Sequence, residues 1–280
     1  MGGQLPAAVF GVAAACGWGA GDFCGGAASR RGRVLGVVLA SETVGLSLLV
    51  VLAVVFSETL PVARDLVWSG VAGIAGTVGL VSLYRAMAAG HIAVAAPVTA
   101  MVTAAVPVVV GSFLEGPAGA RQFVGFGVAL VAVWLVTRTG DGTSTRIRDL
   151  GLPFLAGIGF GVFLILIDRV SETATLWPLV ASRSASIIAL LVVTLAVRPR
   201  TAPMRSQLPL AALAGVLDTV GNVCYALSAR FGRMDAAAVL SSLGLAITVL
   251  LARLFLKESI SRRQWLGVAA ALAAVALIAP

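Results

Sequence analysis

Residues 34–56 read VLGVVLASETVGLSLLVVLAVVF, and among them only Glu42 carries a charge. A bilayer's hydrocarbon core, ~30 Å thick, is crossed by ~20 apolar residues in a helix. Comparable runs fall on either side, at about 5–28, 66–89, 92–114, 121–137, 150–168, 177–197, 207–229, 236–256 and 264–279. An open sheet edge has no hydrogen-bond partners in hydrocarbon, so these runs are helices. The expectation is an all-α integral membrane protein of ten transmembrane helices.

The whole chain agrees with that stretch. It is 59% hydrophobic and 11% charged over 280 residues, with a mean hydropathy of +1.03. A soluble domain carries ~25% charged residues, so lipid is the solvent this composition implies. The net charge of +8 does not signal nucleic acid. Its arginines sit in short clusters between apolar runs, as in Arg30-Arg31-Gly-Arg33 and Arg146-Ile-Arg148, which suits loops at a headgroup surface. Cys16, Cys24 and Cys224 fall inside runs without CxxC spacing and read as packing residues. Trp68, Trp177 and Trp265 open runs, as interfacial anchors do.

The two halves repeat at a spacing of about 141 residues. Trp18-Gly-Ala-Gly-Asp-Phe23 aligns with Ile158-Gly-Phe-Gly-Val-Phe163, Ser41-Glu42-Thr43 with Ser182-Arg183-Ser184, and Tyr84 with Tyr225. Glu115, Gln122 and Gly125 align with Glu258, Gln264 and Gly267. Residues 1–140 and 141–280 thus form two five-helix units. An odd helix number makes the second unit enter the membrane from the opposite side, giving two inverted repeats, an arrangement that recurs in secondary transporters.

At these residues the chain resembles the drug/metabolite transporter superfamily, in its EamA-type members. The resemblance rests on Trp18-Gly19, on Tyr84, Ala96-Pro97 and Val106-Pro107-Val108, and on the Glu-x5–6-Gln-x-x-Gly element met twice. It implies ten helices and movement of small metabolites across the cytoplasmic (inner) membrane. Pro97 and Pro107 have no counterparts in the second half, so the fourth helix is expected to be kinked or broken and the ninth more regular.

Ionisable groups inside spans are costly and tend to line cavities. Glu42 and Arg183, at equivalent positions, could pair across a central cavity or hold the two ends of a zwitterion; the alternative is that each snorkels to its own interface. Asp218, Asn222 and Tyr225 form a polar stripe at i, i+4 and i+7. Tyr84 is the aromatic mate of Tyr225, while Asp218 and Asn222 face Thr77 and Val81 in the repeat. Asp22 is a candidate proton-coupling carboxylate. The expected substrate site is therefore Glu42, Arg183, Asp218, Asn222, Tyr225, Tyr84 and Asp22. The glycines Gly17, Gly21 and Gly25, and Gly70, Gly73, Gly76 and Gly79, read as close-packing faces. His91 reads as a loop residue.

No zinc, hydrolase or phosphate-binding motif stands out, and no cofactor or metal is expected. The reading is a secondary transporter of a small organic metabolite, working by alternating access and in the export direction, with a proton as a candidate coupling ion. A membrane scaffold or sensor, or an intramembrane enzyme, are the alternatives, and a homodimer is left open. On orientation two arguments conflict. The connections after the first, fifth, seventh and ninth helices hold twelve Lys and Arg, against five after the second, fourth, sixth and eighth. Cytoplasmic loops collect such residues, which places both termini outside; the resemblance implies both inside. The charges belong to this sequence and are followed here.

Overall fold

The computed structural model of the protein describes residues 4–90, 92–114, 119–137, 147–170, 174–197, 205–231, 243–257 and 260–278. They form ten α-helices: α1 (Gln4–Ser29), α2 (Val34–Val55), α3 (Ala63–Ala88), α4 (Ile92–Leu114), α5 (Ala120–Thr137), α6 (Gly151–Val170), α7 (Leu176–Val197), α8 (Leu208–Phe231), α9 (Gly244–Leu256) and α10 (Arg262–Ile278). A short 3-10 turn, Ile147–Leu150, leads into α6. No strand occurs among the described residues. The helices coincide with the apolar runs to within three residues, except that the described part of α9 begins at Gly244. His91, Glu115 and Glu258 lie outside the described residues.

Local chemistry sets several of these ends. The α1–α2 turn passes through Gly32 and Arg33, both at positive φ (77° and 60°), a conformation open to glycine and costly for arginine. The repeated glutamine explains itself at α5 and α10. Gln122 Oε1 accepts from the Gly119 N–H at 2.8 Å, and Gln264 Oε1 accepts from the Ser261 N–H at 2.9 Å. Each glutamine is the third residue of its helix and reaches back to the capping position, satisfying an N–H with no intrahelical acceptor. Ser261 completes the box, its Oγ accepting from the Gln264 N–H at 3.2 Å.

Of the kink or break expected in α4, the break is absent: α4 runs as a single helix from Ile92 to Leu114 through both Pro97 and Pro107. Spanning helices tolerate proline where neighbours re-satisfy the freed carbonyls, and α4 packs on α6, α9 and α10.

Polarity is distributed as lipid demands. Phe113, Leu195, Leu130 and Phe56 are each more than 70% exposed, while Ser41, Glu42, Ser69, Thr77, Ser182, Arg183 and Thr248 are buried. In water this would be an aggregating surface; in hydrocarbon it is the stable one. Four segments, Val34–Val55, Ala63–Ala88, Leu176–Ala196 and Leu208–Tyr225, are long and apolar enough to cross a membrane by themselves, and shorter apolar segments lie in α4, α5, α6 and α9. This is a multi-pass membrane protein.

The two halves interleave. α1 packs on α8 and α9, and α3 on α6 and α7; α2 packs on α7 and α8, and α4 on α6; α5 packs on α10. Small residues permit the close crossings. A Cβ on Gly17 would stand 2.8 Å from the Gly221 nitrogen, and one on Gly159 2.7 Å from the Gly79 nitrogen. Gly73 lies against the carbonyl of Ser182, and Gly215 against the carbonyl of Ser41. The ends are tied as well. Glu58, in the α2–α3 connection, accepts from the N–H groups of Thr175, Leu176 and Trp177 at 2.7–2.9 Å and so caps α7. Trp177 Nε1 donates to the Glu58 carbonyl at 2.8 Å, so this indole is a strut between the halves as well as a marker of a helix start. Gln207, before α8, donates to the carbonyls of Ala28 and Gly32 at 2.9 and 3.0 Å.

Candidate functional site

Glu42 stands eight residues into α2, about 12 Å from its start at ~1.5 Å per residue. At that depth a lone carboxylate would be strongly disfavoured. It is 4% exposed and accepts from Arg183 of α7, Nη1 to Oε1, at 2.5 Å. The other terminal nitrogen of Arg183, Nη2, pairs with Asp218 Oδ2 of α8. Asn222, one turn on, donates from Nδ2 to the same Asp218 oxygen at 3.0 Å and to the Asp218 carbonyl at 2.9 Å. One guanidinium on α7 therefore bridges two carboxylates from two other helices, α2 and α8. Arginine suits this role because its planar fork presents several donors at once. Neither Glu42 nor Arg183 snorkels to an interface.

The space for this network comes from residues that do not bond within it. A Cβ on Gly45, one turn beyond Glu42, would stand 3.6 Å from Arg183 Cζ and 2.8 Å from Thr219 Oγ1. Gly45 is thus the gap through which the guanidinium reaches α2. Gly21 brings α1 against α8, its Cβ position 3.2 Å from the Asp218 nitrogen. Gly25 receives the ring end of Tyr84, which is 2% exposed. The packing face expected at Gly17, Gly21 and Gly25 is present, and its last member also seats a candidate site residue.

The Tyr84 ring end sits at Gly25, one turn beyond Asp22 on α1, so Tyr84 and Asp22 share one neighbourhood. Asp22 is half-buried and has no hydrogen-bond or ion-pair partner among the described residues. Tyr225 joins from α8, its ring 5.3 Å from that of Trp18 and inclined at 35°. Trp18 precedes Asp22 by one turn on α1, so the ring pair and the free carboxylate lie on one side of that helix. Of the seven residues expected at the site, Glu42, Arg183, Asp218 and Asn222 are joined by hydrogen bonds, Tyr84 lies against α1 at Gly25, and Tyr225 meets Trp18, one turn from Asp22. The counterpart of Asp218, Thr77, instead bonds back to the Gly73 carbonyl of its own helix at 2.9 Å.

Sequence reasoning missed Trp18 as a site member, and Gly45 and Thr219 altogether. Thr219 was findable, since it adjoins Asp218. Gly45 was not, because a glycine shows its use only when its neighbour across the interface is known. At the site, Glu42 Oε2 and Thr219 Oγ1 are buried without partners among the described residues. A separate cavity of about 280 Å³ opens between the ends of α1 and α9 and the start of α8, lined by Ala27, Ala28, Arg30, Arg31, Gln207 and Leu256 among others.

Residues 150–279 match the model of the EamA-like transporter family. The second half of this chain is thus similar to the EamA-like transporter family. None of the curated proteins matches the chain. A crystal structure of a protein 16% identical to this one superposes with a TM-score of 0.65, over 98% of this chain and 96% of that chain. At that identity the likeness concerns the fold alone. The EamA-like segment contains Arg183, Asp218, Asn222 and Tyr225, while Glu42, Asp22, Tyr84 and Trp18 come from the first half. The EamA-like family is one of membrane transporters.

Proposed function

We propose that the chain is a secondary transporter that moves a small organic metabolite across the cytoplasmic membrane by alternating access, in the export direction, with residues 1–140 and 141–280 as inverted repeats and all ten helices spanning. The observation that carries this reading is the Glu42–Arg183–Asp218 network. A charged cluster joins the two halves inside a largely apolar bundle, next to Asp22, which has no partner among the described residues, and an aromatic pair. A purely structural bundle has no need of it, since apolar packing at the same place would be as stable.

The repeat reading has support of its own. Exchanging each helix for the one five places away turns the α1–α8 contact into α6–α3, α2–α8 into α7–α3, and α1–α9 into α6–α4; α2–α7 and α5–α10 map onto themselves. Gly73 on Ser182 and Gly215 on Ser41 likewise exchange within one residue. Such duplicated crossings are what two rocking halves require. Ala27 and Ala28, in the wall of the 280 Å³ cavity, lie five and six residues along α1 from Asp22, or about 8–9 Å, which suits a vestibule on the arginine-rich face. Asp22 is the proposed proton-coupling group.

The test is counterflow in proteoliposomes across a panel of small metabolites, with and without a pH gradient. Counterflow of at least one solute is expected. Asp218→Asn and Glu42→Gln should each reduce it more than they reduce the yield of folded protein. Absence of counterflow for every solute would favour a scaffold or an enzyme, and unchanged transport in both variants would remove the acids from the mechanism.

A further inference from the structure

The charges of the cluster do not balance. Around the Tyr84 hydroxyl and the Arg183 guanidinium, α1 contributes Asp22, α2 contributes Glu42 and α8 contributes Asp218, against Arg183 of α7 as the one cation there among the described residues. Arg85 follows Tyr84 in the chain but is exposed. The guanidinium gives one terminal nitrogen to each of two carboxylates. A substrate carboxylate would add a fourth negative charge to this cluster at depth, which is strongly unfavourable. The opposite charge has partners waiting. Glu42 Oε2 is buried with no hydrogen bond, Thr219 Oγ1 is fully buried with none, and Asp22 has no partner among the described residues. Beside them the Trp18–Tyr225 ring pair offers π faces, which attract a desolvated cation.

We propose that this cluster binds an organic cation, a small ammonium compound, with Asp22 and the free oxygen of Glu42 as counter-ions and the Trp18–Tyr225 pair as the apolar wall. The inference rests on the cluster being the transporter's substrate site, and it narrows the substrate class. Arg183 then acts as a fixed internal charge that holds Glu42 and Asp218 in place, and it does not contact the substrate's charged group. A zwitterion would bring a further carboxylate into this net negative cluster and is excluded on charge.

A shape-matched set separates the classes. Choline, its neutral carbon isostere 3,3-dimethylbutan-1-ol, the anion 3,3-dimethylbutanoate and the zwitterion glycine betaine share one bulky head and differ in charge. Tetramethylammonium and phenyltrimethylammonium bracket choline in size. Binding to the purified full chain in detergent is read by titration calorimetry. At least one of the three cations is expected to bind, with no heat from the isostere, the anion or the zwitterion. Glu42→Gln and Asp22→Asn should each weaken cation binding ten-fold or more. Asp22→Asn removes no bond, so it stays informative if Glu42→Gln fails to fold. Equal or tighter binding of the neutral, anionic or zwitterionic probe would overturn the proposal, as would silence from all three cations or unaltered affinity in Asp22→Asn. Counterflow of an anionic solute would sink this inference and keep the transporter reading. Cation binding without counterflow of any solute would do the reverse.

Discussion

Arg183 donates to Glu42, and the two residues stand 141 positions apart in the chain. That is the spacing at which the halves of the sequence align. A position that touches its own counterpart lies on the axis relating the two copies, so this ion pair marks where the proposed two-fold axis crosses the bundle.

Removing the shared cation strands two carboxylates at once. Arg183→Met is expected to cost about 3–5 kcal/mol, the usual loss when one member of a buried ion pair is deleted. The exchange Glu42→Arg with Arg183→Glu restores a pair on the axis but moves the cation away from Asp218, so it should recover only part of the loss. Denaturant unfolding in a fixed detergent measures both. Full stability in Arg183→Met would show that the pair contributes nothing to the fold.

The capping glutamines make a milder and more local prediction. Gln122→Ala and Gln264→Ala each leave a helix-initiating N–H without its acceptor, and should each cost about 0.5–2 kcal/mol, as lost caps do. The glutamate replacements retain a carboxyl oxygen at the same reach and should stay near wild type. Transport should be unchanged in all four, since these caps lie at helix ends away from the ion cluster. An alanine variant as stable as its parent would show the cap to be dispensable.

Glycine replacements separate close crossings from open faces. Gly73→Ala and Gly215→Ala push a methyl into a carbonyl of the facing helix, and each should destabilise by about 1–3 kcal/mol, the range for overpacking. Gly127→Ala meets nothing within 4 Å and should be neutral or slightly stabilising, since alanine favours helix. The order of the three unfolding midpoints is the readout; Gly127→Ala ranking below the other two would contradict the packing described here.

Orientation follows from loop charge. A C-terminal reporter active only in the cytoplasm should be silent, placing both termini outside with the arginine-rich connections inside. Strong cytoplasmic activity would show that the loop charges mislead and that the resemblance had the topology right.

How much was readable beforehand differs from feature to feature. Helix positions were legible because each crossing needs a long uninterrupted apolar run, and such runs admit few alternative boundaries. Glu42, Arg183 and Asp218 were legible because charge inside a run is costly and therefore conspicuous. The glutamine of the repeated element was visible as a pattern, but its work as a cap emerges only from its bond to Gly119 or Ser261. Glu58 was not legible, because an acid in a connection is unremarkable until the N-terminus of α7 is seen to sit on it. Gly45 and Thr219 act across an interface, and no periodicity within one helix records what lies opposite. Nor did the prolines of α4 reveal that their helix continues, since that depends on the neighbours packed against it.

With the halves as the proposed inverted repeats, the pair on their axis bears on ancestry. In a dimer of two identical chains, a residue on the two-fold axis meets itself, and a glutamate there would face a glutamate in the middle of the membrane. Joining two copies in one polypeptide lifts that restriction, because the twin positions can then mutate separately. Glu42 and Arg183 are a combination that a symmetric dimer of identical subunits could not place on its axis, so this bond could have arisen only once the halves shared a single gene or came from two diverged ones.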